Sequence, residues 1–468
     1  MKRILLILWL AASLASGGCK AQMRTVFEPV RFEDGTPVEG DPEADALFEQ
    51  DKFLTDTTFT AKGDTLFIVR HASAYVRMQL EGLPAGAGID RIMLAPVDGE
   101  VSYLPAEIHE AGSMTLWMAK EPGTLPEAAA IAQGADGRFW SVRLPGMDLE
   151  PGIAYRWTGT FLPPDAPAAG IKATALPQTP LDIPSGEYSG ITWIAANYYA
   201  VVSDSMTGGG LLTLHLPMDR DGRIGGAAIS PMNGTERSKS NKPDNEGVAF
   251  TDGKLYVSTE KQTIREYDAD GRPTGMQFDI PGDMGPGAIV ANMGFEALSY
   301  GNGLFWTTTE GPLKKDTFFP RLLRLQSFGR DGKPAGRYFY QMDDPTRTKA
   351  GALAYVHGVP ALAALDDGRL LVLEREVHVP DGGFFDKLRS SFTRMQLFLV
   401  DPVHDTAGIL RKTPLCSFRT GAMDLANYEG MCLGPTLPDG SRTLVLIADS
   451  QNGSGGLTGE FVKVILLR

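Results

Sequence analysis

The sequence predicts an all-β fold, a five-bladed β-propeller preceded by a small β-sandwich, and three observations predict it. The 468 residues include 54 Gly and 32 Pro, so turns are frequent and strands short. The β-like runs are bounded by Gly, Pro and Asp-Gly or Asn-Gly pairs. The C-terminal two-thirds repeats one pattern five times. Length alone allows two or three domains, and 43% hydrophobic with 22% charged residues is a globular balance.

In chain order, Met1-Lys2-Arg3 is a short basic segment and Ile4 to Ala15 an apolar run too short to span a bilayer, which together read as a signal peptide over 1–19. Ser16-Gly17-Gly18-Cys19 resembles a lipobox, with Ser16 where Leu is usual, so Cys19 is the expected lipidation site; plain secretion is the alternative. The expected location is the outer membrane or cell envelope, otherwise the periplasm. Residues 20–50 are polar and acidic, with Pro29, Pro37 and Pro42, and read as a flexible tether. From 51 to 163, Thr65–Val69, Tyr75–Leu80, Asp90–Leu94, Met114–Met118, Phe139–Leu144 and Tyr155–Phe161 are short β-like runs suited to an Ig-like or fimbrillin-like sandwich. Leu162 to Ala169 reads as a linker. Cys416 and Cys432 lie on different strands and read as buried free thiols.

Residues 175–468 carry the repeat. Each copy is an apolar strand, a turn, and a second strand ending in a carboxylate. The copies run from Ser189 to Asp204, Glu246 to Glu260, Glu296 to Glu310, Pro360 to Glu374 and Glu429 to Asp449. Four hold Asp252-Gly253, Asn302-Gly303, Asp367-Gly368 or Asp439-Gly440 between the strands, pairs suited to a type I′ hairpin turn with both φ positive. A further hairpin turn follows at Asp221-Gly222, Asp270-Gly271 and Asp331-Gly332. Four strands per copy is the grammar of propeller blades. The last copy lacks its outermost strand after Phe461 to Leu467, and Thr179 to Ile183 is placed to supply it. Five blades result, with a sixth, degenerate blade as the competing count.

A hairpin returns its two ends to one sheet edge. Glu246, Glu296 and Glu429 are therefore expected on one face with Asp204, Glu260, Glu310, Glu374 and Asp449. Two carboxylates about 5 Å apart at an effective dielectric of about 20 repel by roughly 3 kcal/mol, so protons, basic residues or a cation must intervene. An oxygen-only ligand set suits Ca²⁺ better than zinc. The expected metal ligands are Glu246, Glu260, Glu296, Glu310, Glu429, Asp449 and Asp204. Lys242, Lys261 and Arg375 are the basic residues expected to hold substrate; Lys261 and Arg375 directly follow ring carboxylates and equally suit plain salt bridges. Lys239, Lys314, Lys315 and Arg321 are further basic neighbours, and His357 is the one histidine near the rim. A Glu before Gly at a strand entrance can also simply accept backbone N–H bonds. Net charge is −13, and −15 once Lys2 and Arg3 are removed, which argues against nucleic acid or a membrane surface as a partner through bulk charge. No Gly-x-Ser-x-Gly elbow and no Gly-Lys-Ser/Thr phosphate loop occurs.

The repeat residues resemble the phytase-like domain family, also called "esterase-like activity of phytase". Those that carry the resemblance are Asp244-Asn-Glu-Gly-Val-Ala with Leu255-Tyr-Val-Ser-Thr-Glu260, Gly294-Phe-Glu-Ala-Leu with Glu310-Gly-Pro-Leu313, Leu370-Leu-Val-Leu-Glu-Arg375, and Asn427-Tyr-Glu-Gly430. The resemblance covers about residues 180–468. It implies hydrolysis of a phosphoester or phosphodiester on Glu246, Glu260, Glu296, Glu310, Glu374, Glu429 and Asp449. Ser189 and Pro360 depart from it, each standing where a Glu is usual. The function expected is an exported, metal-dependent phosphoesterase or phosphodiesterase with Glu246, Glu296, Glu429 and Glu374 catalytic. It is expected to be monomeric, to act on a small phosphorylated substrate, and to touch the membrane only through the lipid anchor. The alternative is a non-catalytic envelope module binding a glycan or protein, with a structural ion.

Overall fold

The computed structural model describes residues 23–59, 65–84, 86–89, 91–97, 100–105, 112–162, 170–204, 210–234, 244–316, 319, 321–405, 408–421, 424–450 and 459–468. Signal peptide, Cys19 and the 163–169 linker fall outside these residues. Among the described residues no helix is long and apolar enough to cross a membrane. The fold is almost entirely β.

The described chain divides into two compact units. The first takes residues 23–90, 105–128 and 144–161. Where a flexible tether is expected, Met23–Phe27 and Arg31–Phe32 are strands and Pro42–Gln50 is a helix. The helix starts because Asp41 caps it, accepting from the Glu43 and Ala44 N–H groups, and because Pro42 needs no N–H in the first turn. Met23–Phe27 pairs in parallel with Thr65–His71. Arg31–Phe32 joins Ile153–Thr160, Ala74–Glu81 and Met114–Lys120 in a four-stranded sheet. Val30 and Phe32 reach the core with Tyr75 and Ala154, so residues read as a tether contribute apolar anchors.

The second unit takes 91–104, 129–143 and 162–468. The single sandwich expected over 51–163 is thus divided, and four of its strands lie wholly or mostly here. Phe139–Leu144, Ala128–Gln133, Arg91–Pro96 and Ser102–Pro105 form one sheet. Met93, Ala95, Ile131 and Phe139 pack with Phe319, Leu322, Phe339 and Ile409 of the repeat region. Beneath this contact lies a dry ion network. Arg324 holds Asp316 by two bonds (2.7 and 2.8 Å) and Asp283 at 2.5 Å; Arg337 holds Asp283 by two bonds of 3.0 Å.

The repeat region makes five antiparallel sheets of four or more strands. Sheet one is Tyr188–Ala195, Tyr198–Ser203, Leu211–His215 and Ala228–Pro231; sheet two is Asn245–Thr251, Lys254–Thr259, Ile264–Asp268 and Pro273–Gln277. Sheet three is Phe295–Gly301, Leu304–Thr309, Leu322–Phe328 and Pro334–Gln341. Sheet four is longer: Ala352–Ala364, Leu370–Pro380, Phe392–Val400 and Lys412–Gly421. Sheet five is Asn427–Thr436, Arg442–Asp449 and Phe461–Leu467, completed by Ala173–Ala175. The closing strand therefore lies earlier than expected, and Thr179–Pro180 only pairs with the start of Phe461–Leu467. The first strands of the five sheets neighbour one another in the order one, two, three, four, five, one. Of the four hairpin turns read from Asp-Gly and Asn-Gly, Asp252-Gly253 and Asn302-Gly303 have both φ positive; at Asp367-Gly368 and Asp439-Gly440 only the glycine does. Cys416 and Cys432 are free thiols.

Candidate functional site

The first strand of every sheet is broken at the same place. Register shifts fall between Tyr188 and Gly190, Asn245 and Val248, Phe295 and Ala297, Gly358 and Ala361, and Tyr428 and Gly430. The residues left out of the ladder include Ser189, Glu246, Glu296, Pro360 and Glu429, the first position of each repeat. A β-bulge removes its residue from cross-strand pairing and re-aims the side chain. It also explains Pro360, whose missing N–H costs nothing where no ladder bond is made. Glycine follows the bulged residue where the strands come closest. A Cβ on Gly190 would stand 2.5 Å from Glu246 O, and one on Gly247 2.6 Å from Leu298 N. Ser189, Gly190, Gly247, Glu296, Pro360, Glu429 and Gly430, from all five first strands, line one narrow cavity of about 10 Å³, room for about one water.

Around this cavity the carboxyls fall into two groups. Glu246 is buried and Glu296 half-buried, and neither makes a hydrogen bond with another described residue. Burial, then the charges of Glu429, Asp204, Glu260 and Asp244, push Glu246 well above the usual carboxyl range. Burial, then Glu246, Glu310 and Glu429, do the same to Glu296 against the opposing pull of Arg375. Glu260 is raised by burial although Gly294 N–H donates to its Oε2 at 2.9 Å, and its Oε1 is buried with no hydrogen-bond partner.

The second group is held by Arg375, which is buried. It pairs with Glu310, with Glu429 at 2.5 Å, and with Asn427 Oδ1 at 2.8 Å, while Asn427 Nδ2 donates to Glu429 at 2.9 Å. One guanidinium thus ties sheets three, four and five together. Burial raises Glu429 and the guanidinium offsets this only in part, so it stays above the usual carboxyl range; against its own burial the guanidinium is held protonated by Glu310, Glu429 and Glu296. Arg375 Nε is buried with no hydrogen-bond partner.

Several expected residues stand elsewhere. Glu374 alternates with Arg375 along its strand and so faces away from the cavity. It accepts from Tyr340 Oη (2.6 Å), Lys412 Nζ (2.6 Å) and Asp343 N (3.0 Å). Strand alternation is the reason: the turn between Ala364 and Leu370 holds five residues where those of sheets two and three hold two, and the odd shift in register sets Arg375, opposite Gly358, on the inner side. Lys261 is exposed in a turn and makes no hydrogen bond or ion pair with a described residue. Lys242 and Lys239 lie outside the described residues. Lys315 and Arg321 pair with Glu100 and Asp344. His357 is held neutral by burial, with Glu374 and Glu376 its charged neighbours. Asp204 is half-buried at the end of its strand, and Asp449 is buried opposite Asn427. Among the described residues no group of three His, Cys, Asp or Glu is placed to hold a metal ion. Asn427 and Asp244 were not singled out from sequence. The signal was there, in the matching Asp244-Asn-Glu-Gly and Asn427-Tyr-Glu-Gly.

The sequence pattern of the family described as "Phytase-like: Esterase-like activity of phytase" matches residues 183–451. No curated protein matches the chain. Solved structures similar to it include a PQQ-bound aldose sugar dehydrogenase from Streptomyces coelicolor, 14% identical over 65% of this chain and 100% of that one, at a TM-score of 0.35. The glutaminyl cyclase of Myxococcus xanthus is 12% identical over 64% and 98%, at 0.32. Apo AztD from Citrobacter koseri is 10% identical over 80% and 98%, at 0.24. Similarities this low carry no argument about the site.

Proposed function

The chain belongs to the phytase-like family, and from that premise we propose that it is an esterase-like hydrolase of phosphoester bonds, its five repeated sheets set as the blades of a five-bladed propeller. The cyclic order of the first strands and the two cavities that residues of all five line support the propeller. The chemistry rests on one observation: carboxyls driven toward the protonated form stand beside carboxylates held by an arginine, around one cavity. A protonated carboxyl can give a proton to a leaving oxygen, and an ionised one can take a proton from attacking water. In this reading Glu429 accepts a proton from water as its oxygen attacks phosphorus. The P–O bond to the leaving group breaks, and Glu296 protonates the departing oxygen. The unpartnered Arg375 Nε is a donor for a non-bridging phosphoryl oxygen.

Charge narrows the substrate. With one buried guanidinium against Glu246, Glu260, Glu296, Glu310 and Glu429, a polyanion is repelled, whereas a phosphodiester brings a single charge. Among the described residues no three His, Cys, Asp or Glu ligands converge, and Arg375 pairs with Glu310 and Glu429. Calcium enters only as a proposal for a state in which Arg375 gives way, and no step runs through it. A non-catalytic binding role is the second reading, favoured by the way Arg375 braces three sheets.

Hydrolysis of bis(p-nitrophenyl) phosphate and p-nitrophenyl phosphate, with and without calcium, tests the proposal. The diester should be cleaved, and Glu296→Gln should lower the rate by about 10²-fold or more without loss of stability. Failure of the wild type on both esters in both conditions would reject hydrolysis and leave the binding reading.

A further inference from the structure

Sheet four stands above its neighbours. The first strands of the other sheets start at or next to their bulges, whereas that of sheet four starts at Ala352, six residues before Gly358. At about 3.3 Å per residue this adds roughly 20 Å on the side where the bulged carboxyls sit. The extension ends in a short helix, Phe384–Ser390, against Leu370–Pro380 and Lys412–Gly421. Its aromatic rings face solvent: Phe384 is 68% and Phe385 74% exposed, and Leu353, at the same end by the pairing of Ala352 with Pro380, is 60% exposed. Among the described residues of the second unit they are the three most exposed large apolar side chains.

The charge around them is inverted relative to the chain. Residues 345–356, 376–396 and 417–421 carry Arg347, Lys349, Lys387, Arg389, Arg394 and Arg419 against Glu376, Asp381 and Asp386, six positive and three negative in a chain of net −13. Arg347, Lys349, Lys387 and Arg389 form no ion pair with a described residue. Glu376 is spent inside, on Thr346 and the Arg347 N–H. Exposed aromatics ringed by unpaired cations are the chemistry of a group that sinks rings among acyl chains while cations meet anionic headgroups.

We propose that the tip of sheet four seats this protein on an anionic lipid surface. The tip and the carboxyl-lined end of the cavity lie on the same side of sheet four, so a bilayer holding the tip faces the mouth of the cavity. This contact is separate from any acylation of Cys19 and does not depend on hydrolysis.

Co-sedimentation with vesicles tests it, using the full chain with Cys19→Ala so that no acyl chain contributes. The protein should sediment with vesicles containing about a third phosphatidylglycerol and stay in solution with pure phosphatidylcholine, and rising salt should release it. Phe384→Ser with Phe385→Ser should weaken binding about tenfold or more, and so should Lys387→Glu with Arg389→Glu. An unchanged melting temperature in both variants would show that the fold is intact. Absence of sedimentation with the anionic vesicles, or sedimentation that neither variant reduces, overturns the proposal. So does a wild-type dimer by analytical ultracentrifugation that the phenylalanine variant abolishes, since the patch would then be an interface between two copies.

Discussion

Glu296 and Glu246 are the residues on which acid chemistry and stability meet. Their folded-state pKa values lie well above the ordinary 4.5. Between that value and the raised one, the folded chain binds more protons than the unfolded chain, so stability falls as pH rises through the window and stays lowered above it. Glu296→Gln should therefore stabilise the protein at pH 8 and change little at pH 4, a difference that thermal melts at the two pH values would read. A Gln variant that melts lower at pH 8 would show that Glu296 is held ionised. Arg375 is the converse case. Arg375→Met leaves Glu310 and Glu429 buried without a cation and should cost about 3–5 kcal/mol near neutral pH. The cost should shrink toward pH 5, as the stranded carboxyls take up protons. Arg375→Lys should recover little, because one ammonium cannot reproduce the fork that meets Glu310, Glu429 and Asn427 together.

At the scale of elements, the bulge is the device repeated in every first strand, and glycine is its steric condition. Gly247→Ala would set a Cβ 2.6 Å from both Leu298 N and Ser258 Oγ. The backbone atom cannot swing away, so a loss of about 1–3 kcal/mol is expected in denaturant melts. The same substitution at Gly287, where nothing lies within 4 Å, should cost less than 1 kcal/mol. The repeat itself was legible, because its apolar runs and turn pairs are local signals. The bulges were not, since regular alternation and a bulged strand begin with the same letters. The inward reading of Glu374 failed for a different reason: counting residues to the end of a hairpin assumes equal turns, and the turn of sheet four holds five residues, 365–369, where those of sheets two and three hold two.

At the scale of the whole molecule, the second unit is held by closures between distant parts of the chain. Leu176 N–H donates to Val464 O at 2.9 Å, where the segment before sheet one completes sheet five. Leu176→Pro removes that donor and strands a carbonyl, and should lower stability by about 1–3 kcal/mol. Asp283→Asn should cost more, about 3–5 kcal/mol, because Arg324 and Arg337 would lose the carboxylate between them in a dry site. We also propose that the mature chain is exported and anchored through Cys19. Cys19→Ala should then move it from the membrane fraction to the soluble one, unless the tip of sheet four alone retains it.

The sequence by itself determined the β class, the five copies, the need for an N-terminal strand to finish the last sheet, and the gathering of Glu246, Glu296, Glu310 and Glu429. Each follows from patterns of period two, turn chemistry and repetition, which act over a few residues. Tertiary structure alone decided that Arg375 pairs with Glu310 and Glu429 of the ring and that Glu374 leaves it. It also decided that residues 91–143 divide between two units, and that a segment read as a tether supplies core side chains. Those outcomes turn on register and on which surfaces meet, and the energies that select them belong to contacts between residues tens to hundreds of positions apart.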